Sequence, residues 1–295
     1  MLTLRAGAAS LVLAPEIGGS IVGWALGRLH IMRRAAPEAI IGGNARGLAS
    51  FPLVPYSNRI AHGRFDFGGT RHQIALNFGD HPHAIHGIGW QSVWSVDAAG
   101  PGTARLSLTH RPDGVARARW PFAFHATQDF TLTEDTLTVS LAIENNETDP
   151  APAGLGLHPF FPTAHAPTLH FNAGSVWTNG ADHLPAERIA VPAAWNYTEG
   201  RRVGTAALDN CFAGWRRRAD IAWAPPGPIL SIEASEVFTH LIVFTPPGAD
   251  FFCVEPVSHM TDALNRTGSV PDHGMHTLAP GETLAGTVRF HILDV

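Results

Sequence analysis

Hydrophobic and polar residues alternate with a period of two along much of this chain, and long helical periodicity is missing. The clearest stretch runs from Phe130 to Ile143. There Phe130, Leu132, Leu137, Val139, Leu141 and Ile143 alternate with Thr and Ser, and Glu134-Asp135 marks a reversal. This spacing predicts a β-hairpin with one buried face, because successive side chains of a strand point to opposite sides. Arg105 to Thr109 and Thr287 to Ile292 read as similar strands. Leu241 to Phe244 and Phe251 to Val254 are continuous apolar runs joined through Thr245-Pro246-Pro247-Gly248, which predicts two strands buried on both faces. Residues Ala6 to Ala14 lead straight into Pro15-Glu16-Ile17-Gly18-Gly19 and read as a first strand and turn rather than a signal core.

The punctuation agrees with this pattern. Thirty Gly and 23 Pro recur about every ten residues, which suits many short strands and suits helices badly. There is no internal repeat, low-complexity tract or linker, and the Pro-rich piece Ala222 to Pro228 reads as a surface turn. We therefore expect an all-β protein in which residues 1–295 form one domain, a large antiparallel β-sandwich of two packed sheets.

Composition excludes several function classes. Hydrophobic residues are 45% of the chain, enough for a sizeable core. All 20 basic residues are Arg, so no Schiff-base lysine is possible; we read the bias as that of the source genome. The net charge is −5 and the only basic run is Arg216-Arg217-Arg218, read as a solvated loop, so nucleic acid is not expected as a partner. No apolar run approaches the roughly 20 residues of a membrane helix, and a cytoplasmic location is the default expectation. Cys211 and Cys253 sit in apolar runs and read as buried free thiols.

Candidate chemistry lies in five short segments. Ile85-His86-Gly87, Leu157-His158-Pro159-Phe160-Phe161 and Val254-Glu255-Pro256 each set a titratable group among apolar residues beside a Gly or Pro. One carboxylate and two imidazoles can move protons near neutral pH without a cofactor. The bland readings are a packed core histidine for His158 and a strand-end salt bridge to an Arg for Glu255. Asn58-Arg59 offers an amide and a guanidinium suited to vicinal hydroxyls, and Asp209-Asn210 is either a second such pair or a turn. Trp24, Trp90, Trp94 and Trp177 are either sugar-stacking or core. His81 and His83 near His86 raise a metal reading, but H-x-H-x-x-H matches no specific zinc pattern, and both read as solvated loop residues.

Across nearly its whole length the chain resembles the aldose 1-epimerase (mutarotase) family. The resemblance rests on Asn58-Arg59-Ile60-Ala61-His62-Gly63-Arg64-Phe65, Ile85-His86-Gly87, Leu157-His158-Pro159-Phe160-Phe161, Asp209-Asn210-Cys211-Phe212, and Phe252-Cys253-Val254-Glu255-Pro256 followed by Asp262-Ala263-Leu264-Asn265. It implies a galactose mutarotase-like supersandwich with a sugar cleft on the concave face of one sheet. It further implies Glu255 as base, His158 as acid, and Asn58, Arg59, His86 and Asp209 as holders of sugar hydroxyls, with no metal or organic cofactor. The approach Phe51-Pro52-Leu53-Val54-Pro55-Tyr56-Ser57-Asn58 is shorter and more proline-rich than in typical galactose mutarotases, which leaves the sugar open.

The expected activity is interconversion of the α and β anomers of a free aldohexose, with Glu255 and His158 facing each other across the cleft. The alternatives are a hexose-6-phosphate epimerase using Arg64 and Arg71, a non-catalytic carbohydrate-binding or sensing protein, and a metal enzyme built on the His cluster. The expected partner is a small-molecule sugar; whether the chain is a monomer or a homodimer stays open.

Overall fold

A computed structural model describes residues 1–225 and 227–294. Its regular structure is mostly antiparallel strand; the two α-helices among the described residues, Pro37–Ile41 and Ala116–Arg119, are about one turn each.

The larger sheet has nine strands. It contains the predicted hairpin, Phe124–Leu132 and Thr136–Asn145, paired from Phe124↔Asn145 to Leu132↔Leu137 and reversing over 133–135. Thr103–His110 flanks one side, and Thr283–Asp294 flanks the other. In Thr103–His110 buried Ala104, Leu106 and Leu108 alternate with Thr, Arg and Ser facing outward. This is the pattern of a sheet with one wet face.

The second sheet has eight strands and carries Asp209 and Glu255. Its middle is Asp209–Ala213, His240–Phe244 and Phe251–Val257 in that order, followed by Gly156–Leu157 and Pro52–Leu53, with Phe160–Pro162 also paired to Phe251–Val257. Both faces are covered, which is why these strands read as unbroken apolar runs. Phe252, Val254, Leu241, Val243, Phe212 and Phe161 pack inward against the nine-stranded sheet, with Phe130, Leu137, Val139 and Leu141 in the same core. Cys253, Val257, Ile242, Cys211 and Phe160 point the other way, into a second cluster with Phe51, Leu53 and Trp90. That outer cluster is roofed by the loops of residues 31–51 and 77–91, and the pocket lies within it. A four-stranded N-terminal sheet, Leu2–Ala6 to Leu29–His30, adds Leu4, Leu11, Leu13 and Trp24 to the inner core.

The stretch Ala222 to Pro228 links the hairpin strands Arg218–Ala222 and Ile229–Ala234; Pro226 within it lies outside the described residues. Both cysteines are free and buried. No helix among the described residues is long and apolar enough to cross a membrane.

Candidate active site

Glu255 does not end its strand, as its sequence setting suggests. Phe251–Val257 continues two residues beyond it. The register explains how a proline is tolerated there. Gly156 pairs with Val257 and Phe160 with Cys253, so counting inward puts His158 opposite Glu255, Leu157 opposite Pro256 and Pro159 opposite Val254. Each proline lacks an N–H. The two sit diagonally about the His158/Glu255 position, and the ladder is interrupted between Gly156–Leu157 and Phe160–Pro162. On its other edge, His158 donates its backbone N–H to Phe51 O at 3.0 Å.

His158 and Glu255 are therefore cross-strand neighbours, with Nε2 3.3 Å from Oε1. This corrects the expectation that they face one another across a cleft: they touch on its floor. The bland alternative for Glu255, an Arg salt bridge, is not what the strand positions produce. Both groups are almost wholly buried, and burial favours the neutral form of each. It raises the Glu255 carboxyl well above its usual range, helped by Asp209 and opposed by Arg59. It pushes the His158 imidazole down to about 3, with the backbone opposing and Arg33 adding to the fall. The pair behaves as one unit holding one proton.

The cavity above this floor is about 550 Å³, within the ~300–1,000 Å³ common for small-molecule pockets. All six sequence-predicted site residues, Asn58, Arg59, His86, His158, Asp209 and Glu255, line it. Arg59 donates from Nη2 to Asp209 Oδ2 at 2.7 Å and from Nη1 to Asn58 Oδ1 at 3.1 Å. With Oδ1 taken, Asn58 has its Nδ2 hydrogens to offer a ligand. Asp209 and Asn210 begin the strand Asp209–Ala213, so the turn reading fails; Asn210 points away and donates to Trp177 O.

His86 accepts the Asn58 backbone N–H at Nδ1, 3.1 Å. Burial, then neighbouring His158 and Arg59, hold its pKa well below the usual value. The neutral ring with Nδ1 occupied carries its proton on Nε2, which makes it a donor toward a ligand. Its loop is braced by Asn77, which accepts the Ile85 N–H at 2.7 Å and donates to Ile85 O and Gly87 O. The Asp262-Ala263-Leu264-Asn265 motif lies outside the cavity and positions it. Asp262 Oδ1 accepts from Ala61 N and Asn265 Nδ2, while its own N–H donates to Arg59 O.

The aromatic walls are phenylalanines. Phe51, Phe78, Phe160, Phe244 and Phe251 line the cavity, while Trp24, Trp90, Trp94 and Trp177 are buried core. Phe160 stacks on His158 with ring centroids 4.5 Å apart. Arg33 and Arg46 also line the cavity and went unread in the sequence. Arg33 follows the buried pair Ile31-Met32, and a charge at the end of an apolar run is the same signal that marks Glu255. His83 is not a solvated loop residue either. It is fully buried, accepts the His62 N–H at Nδ1 and reaches Asp182 O with Nε2. His81 does line the cavity.

Ligand atoms of His158, Cys253 and Glu255 lie within 4.8 Å of one another, the one group among the described residues close enough to share a metal ion. Burial, then Glu255, hold the Cys253 thiol well above its usual pKa. Cys253 is a buried free thiol packed beside the pair.

Fold and site together place the chain in the class of galactose mutarotase-like β-sandwiches. It belongs to the aldose 1-epimerase family, whose model matches residues 1–291. It is 29% identical over 299 residues to the uncharacterised protein YphB of Escherichia coli K12, covering 98% of each chain. A crystal structure from Escherichia coli K12, of a protein provisionally described as an aldose 1-epimerase, superposes with a TM-score of 0.89 at 28% identity, covering 99% of this chain and 98% of that one. A galactose mutarotase-like protein from Clostridium acetobutylicum also gives 0.89, at 19% identity over 99% of this chain and 95% of that one; at that identity the likeness is one of fold. Family membership implies a sugar epimerase, an isomerase.

Proposed function

We propose that this protein interconverts the α and β anomers of an aldohexose by acid–base ring opening and closure. The observation that carries the reading is the buried contact between Glu255 and His158 on the floor of a ligand-sized cavity. A hemiacetal carbon holds its hydroxyl and its ring oxygen side by side, so an acid and a base in contact suit it better than groups placed across a ring.

The proton bookkeeping closes within the pair. With the proton on His158, Glu255 takes the hydrogen of the C1 hydroxyl while His158 donates to the ring oxygen. The C1–O5 bond opens to the aldehyde, leaving the proton on Glu255. The C1–C2 bond rotates. Closure on the other carbonyl face then runs the transfers backwards, with Glu255 donating to the carbonyl oxygen and His158 taking the proton of the attacking hydroxyl. Desolvation alone favours the second microstate, the one that matches the open chain. General acid and general base contribute roughly 10²–10⁴-fold each. Asn58, Arg59, His86 and Asp209 are positioned to hold hydroxyls and orient the ring.

The two arginines first suggested for a 6-phosphate do not support that alternative. Arg64 and Arg71 are exposed on the hairpin Arg64–Phe67/Thr70–Gln73, where they bond Gln73 and Asp66. Against a purely binding role stands the pair itself, since binding gives no reason to bury two opposed titratable groups at contact distance.

Polarimetry or NMR exchange on freshly dissolved α-aldoses tests the reading. Glu255→Gln and His158→Asn are each expected to lower exchange by at least about a hundredfold with folding intact. Full activity in either variant would sink the assignment.

A further inference from the structure

The chain that leaves Glu255 comes back to the pair proposed to hold the sugar. Phe251–Val257 runs on through Ser258, His259, Met260 and Thr261 to Asp262, and every residue from Phe252 to Asp262 is buried. His259 in this run lies outside the cavity and takes no part in the reaction above, yet its bonds end beside Asn58. The side chain is 1% exposed. Its Nδ1 lies 2.7 Å from Met260 O, which puts the ring proton on Nδ1 and leaves Nε2 as an acceptor. Nε2 takes the backbone N–H of Ser57 at 3.0 Å. Ser57 is fully buried, so its N–H depends on that acceptor.

The next N–H along the chain is taken by a second imidazole. His86 Nδ1 accepts the Asn58 N–H at 3.1 Å, and the His86 N–H returns to Asn58 O at 2.9 Å. Between these two holds Asn58 sits at φ +54°, in the left-handed region. A non-glycine residue keeps such a backbone only where its surroundings over-determine it. Asn58 Oδ1 then anchors Arg59, accepting its backbone N–H at 2.9 Å and its Nη1 at 3.1 Å. A shift of Ser57 therefore passes into both side chains that line the cavity. Room for the ring is built in as well. A Cβ on Gly154 would lie 2.3 Å from His259 Cδ2 and 2.5 Å from Nε2, so glycine at that position lets the imidazole reach Ser57. The Gly154 N–H donates to Pro55 O at 2.7 Å, tying the same approach segment down two residues earlier.

We propose that His259 is a positioning residue for substrate binding: its Nε2 fixes Ser57 and so holds the Asn58-Arg59 turn in register with Glu255, four residues earlier in the same run. The proposal rests on the reading of Asn58 and Arg59 as holders of sugar hydroxyls. It places the effect of His259 on binding and leaves the Glu255/His158 contact alone. The test is anomer exchange of glucose and galactose by the whole chain. His259→Leu removes the acceptor and should raise KM about tenfold or more, as the loss of one buried hydrogen bond would, with kcat little changed. His259→Gln sets an amide oxygen where Nε2 was and should recover most of that loss. NMR of nitrogen-labelled wild type should show a coupling across the hydrogen bond from Ser57 N to His259 Nε2. If His259→Leu does not fold, Gly154→Ala decides, because its methyl displaces the ring with His259 still present, and KM must rise there too. An unchanged KM in folded His259→Leu, a fall in kcat as large as the rise in KM, no recovery in His259→Gln, or no coupling overturns the proposal. A wild type that leaves exchange at the buffer rate rejects the ring-opening reading instead. The role of His259 is then read by calorimetry on methyl α-glucoside and methyl α-galactoside. Affinity should fall in His259→Leu and return in His259→Gln; equal affinity in all three proteins overturns it.

Discussion

At the level of single residues, the Glu255/His158 pair sets a characteristic pH dependence. The folded pair keeps one proton. An unfolded chain also keeps one between the ordinary values of 4.5 for Glu and 6.5 for His, so in that window the two linkage terms cancel. Above 6.5 they do not. The unfolded His is then neutral and the unfolded Glu ionised, while the folded carboxyl, raised well above 4.5 by burial, gives up its proton later than the unfolded one. Stability falls as pH rises there, by up to about 1.4 kcal/mol per pH unit. Glu255→Gln removes that term. Denaturant midpoints should show the variant gaining on the wild type from neutral to mildly alkaline pH; a constant difference would mean the carboxyl is not raised. The same proton count gives a broad plateau in the pH–rate profile, because losing the shared proton needs a pH well above 4.5 and adding a second needs one well below 6.5. Both residues were legible in the sequence as charges stranded in apolar runs. Their contact was not, since it depends on a register between strands about a hundred residues apart.

Elements place these residues through turns that only certain side chains allow. Asn58, His86 and Gly87 all adopt positive φ. At Gly87 the need is strict: φ is +71°, and an added Cβ would lie 2.2 Å from Val54 O. Gly87→Ala is expected to destabilise the fold by about 1–3 kcal/mol and, by shifting His86, to raise KM more than it lowers kcat. Thermal melts and exchange kinetics on the same preparation check this; a variant matching wild type in both would refute the turn argument. Strand identity was readable wherever one face is wet, as in Phe124–Leu132 and Thr136–Asn145. It failed at Pro256, which reads as a terminator but sits inside a strand, because the missing ladder bond falls opposite a second gap at Pro159.

For the molecule as a whole, buried imidazoles set a limit in acid. Apart from His158, burial pulls His240 down to about 4, His259 to about 3 and His86 well below its ordinary value. His259 is a structural example: Nε2 accepts the Ser57 N–H at 3.0 Å and Nδ1 reaches Met260 O at 2.7 Å. The folded pKa of each is depressed, so below 6.5 the unfolded chain binds protons that the folded one refuses. Each site can cost up to about 1.4 kcal/mol per pH unit on acidification. We expect the urea midpoint to drop steeply between neutrality and the pH where His240 titrates, and His240→Gln, if folded, to flatten the slope; an acid-insensitive midpoint would contradict the neutral buried state. By itself the sequence determined the all-β architecture, because side-chain alternation, Gly and Pro are local constraints; it marked Glu255 and His158 as titratable groups in apolar runs, and the family resemblance carried the set of six residues that share the pocket. Only the tertiary structure decided that Glu255 and His158 touch, that Phe rather than Trp walls the cavity, and that Arg33 and Arg46 rather than Arg64 and Arg71 face it. Those outcomes depend on which loops roof the sheet and which charges that roof leaves unpaired, and neighbours along the chain do not carry that information.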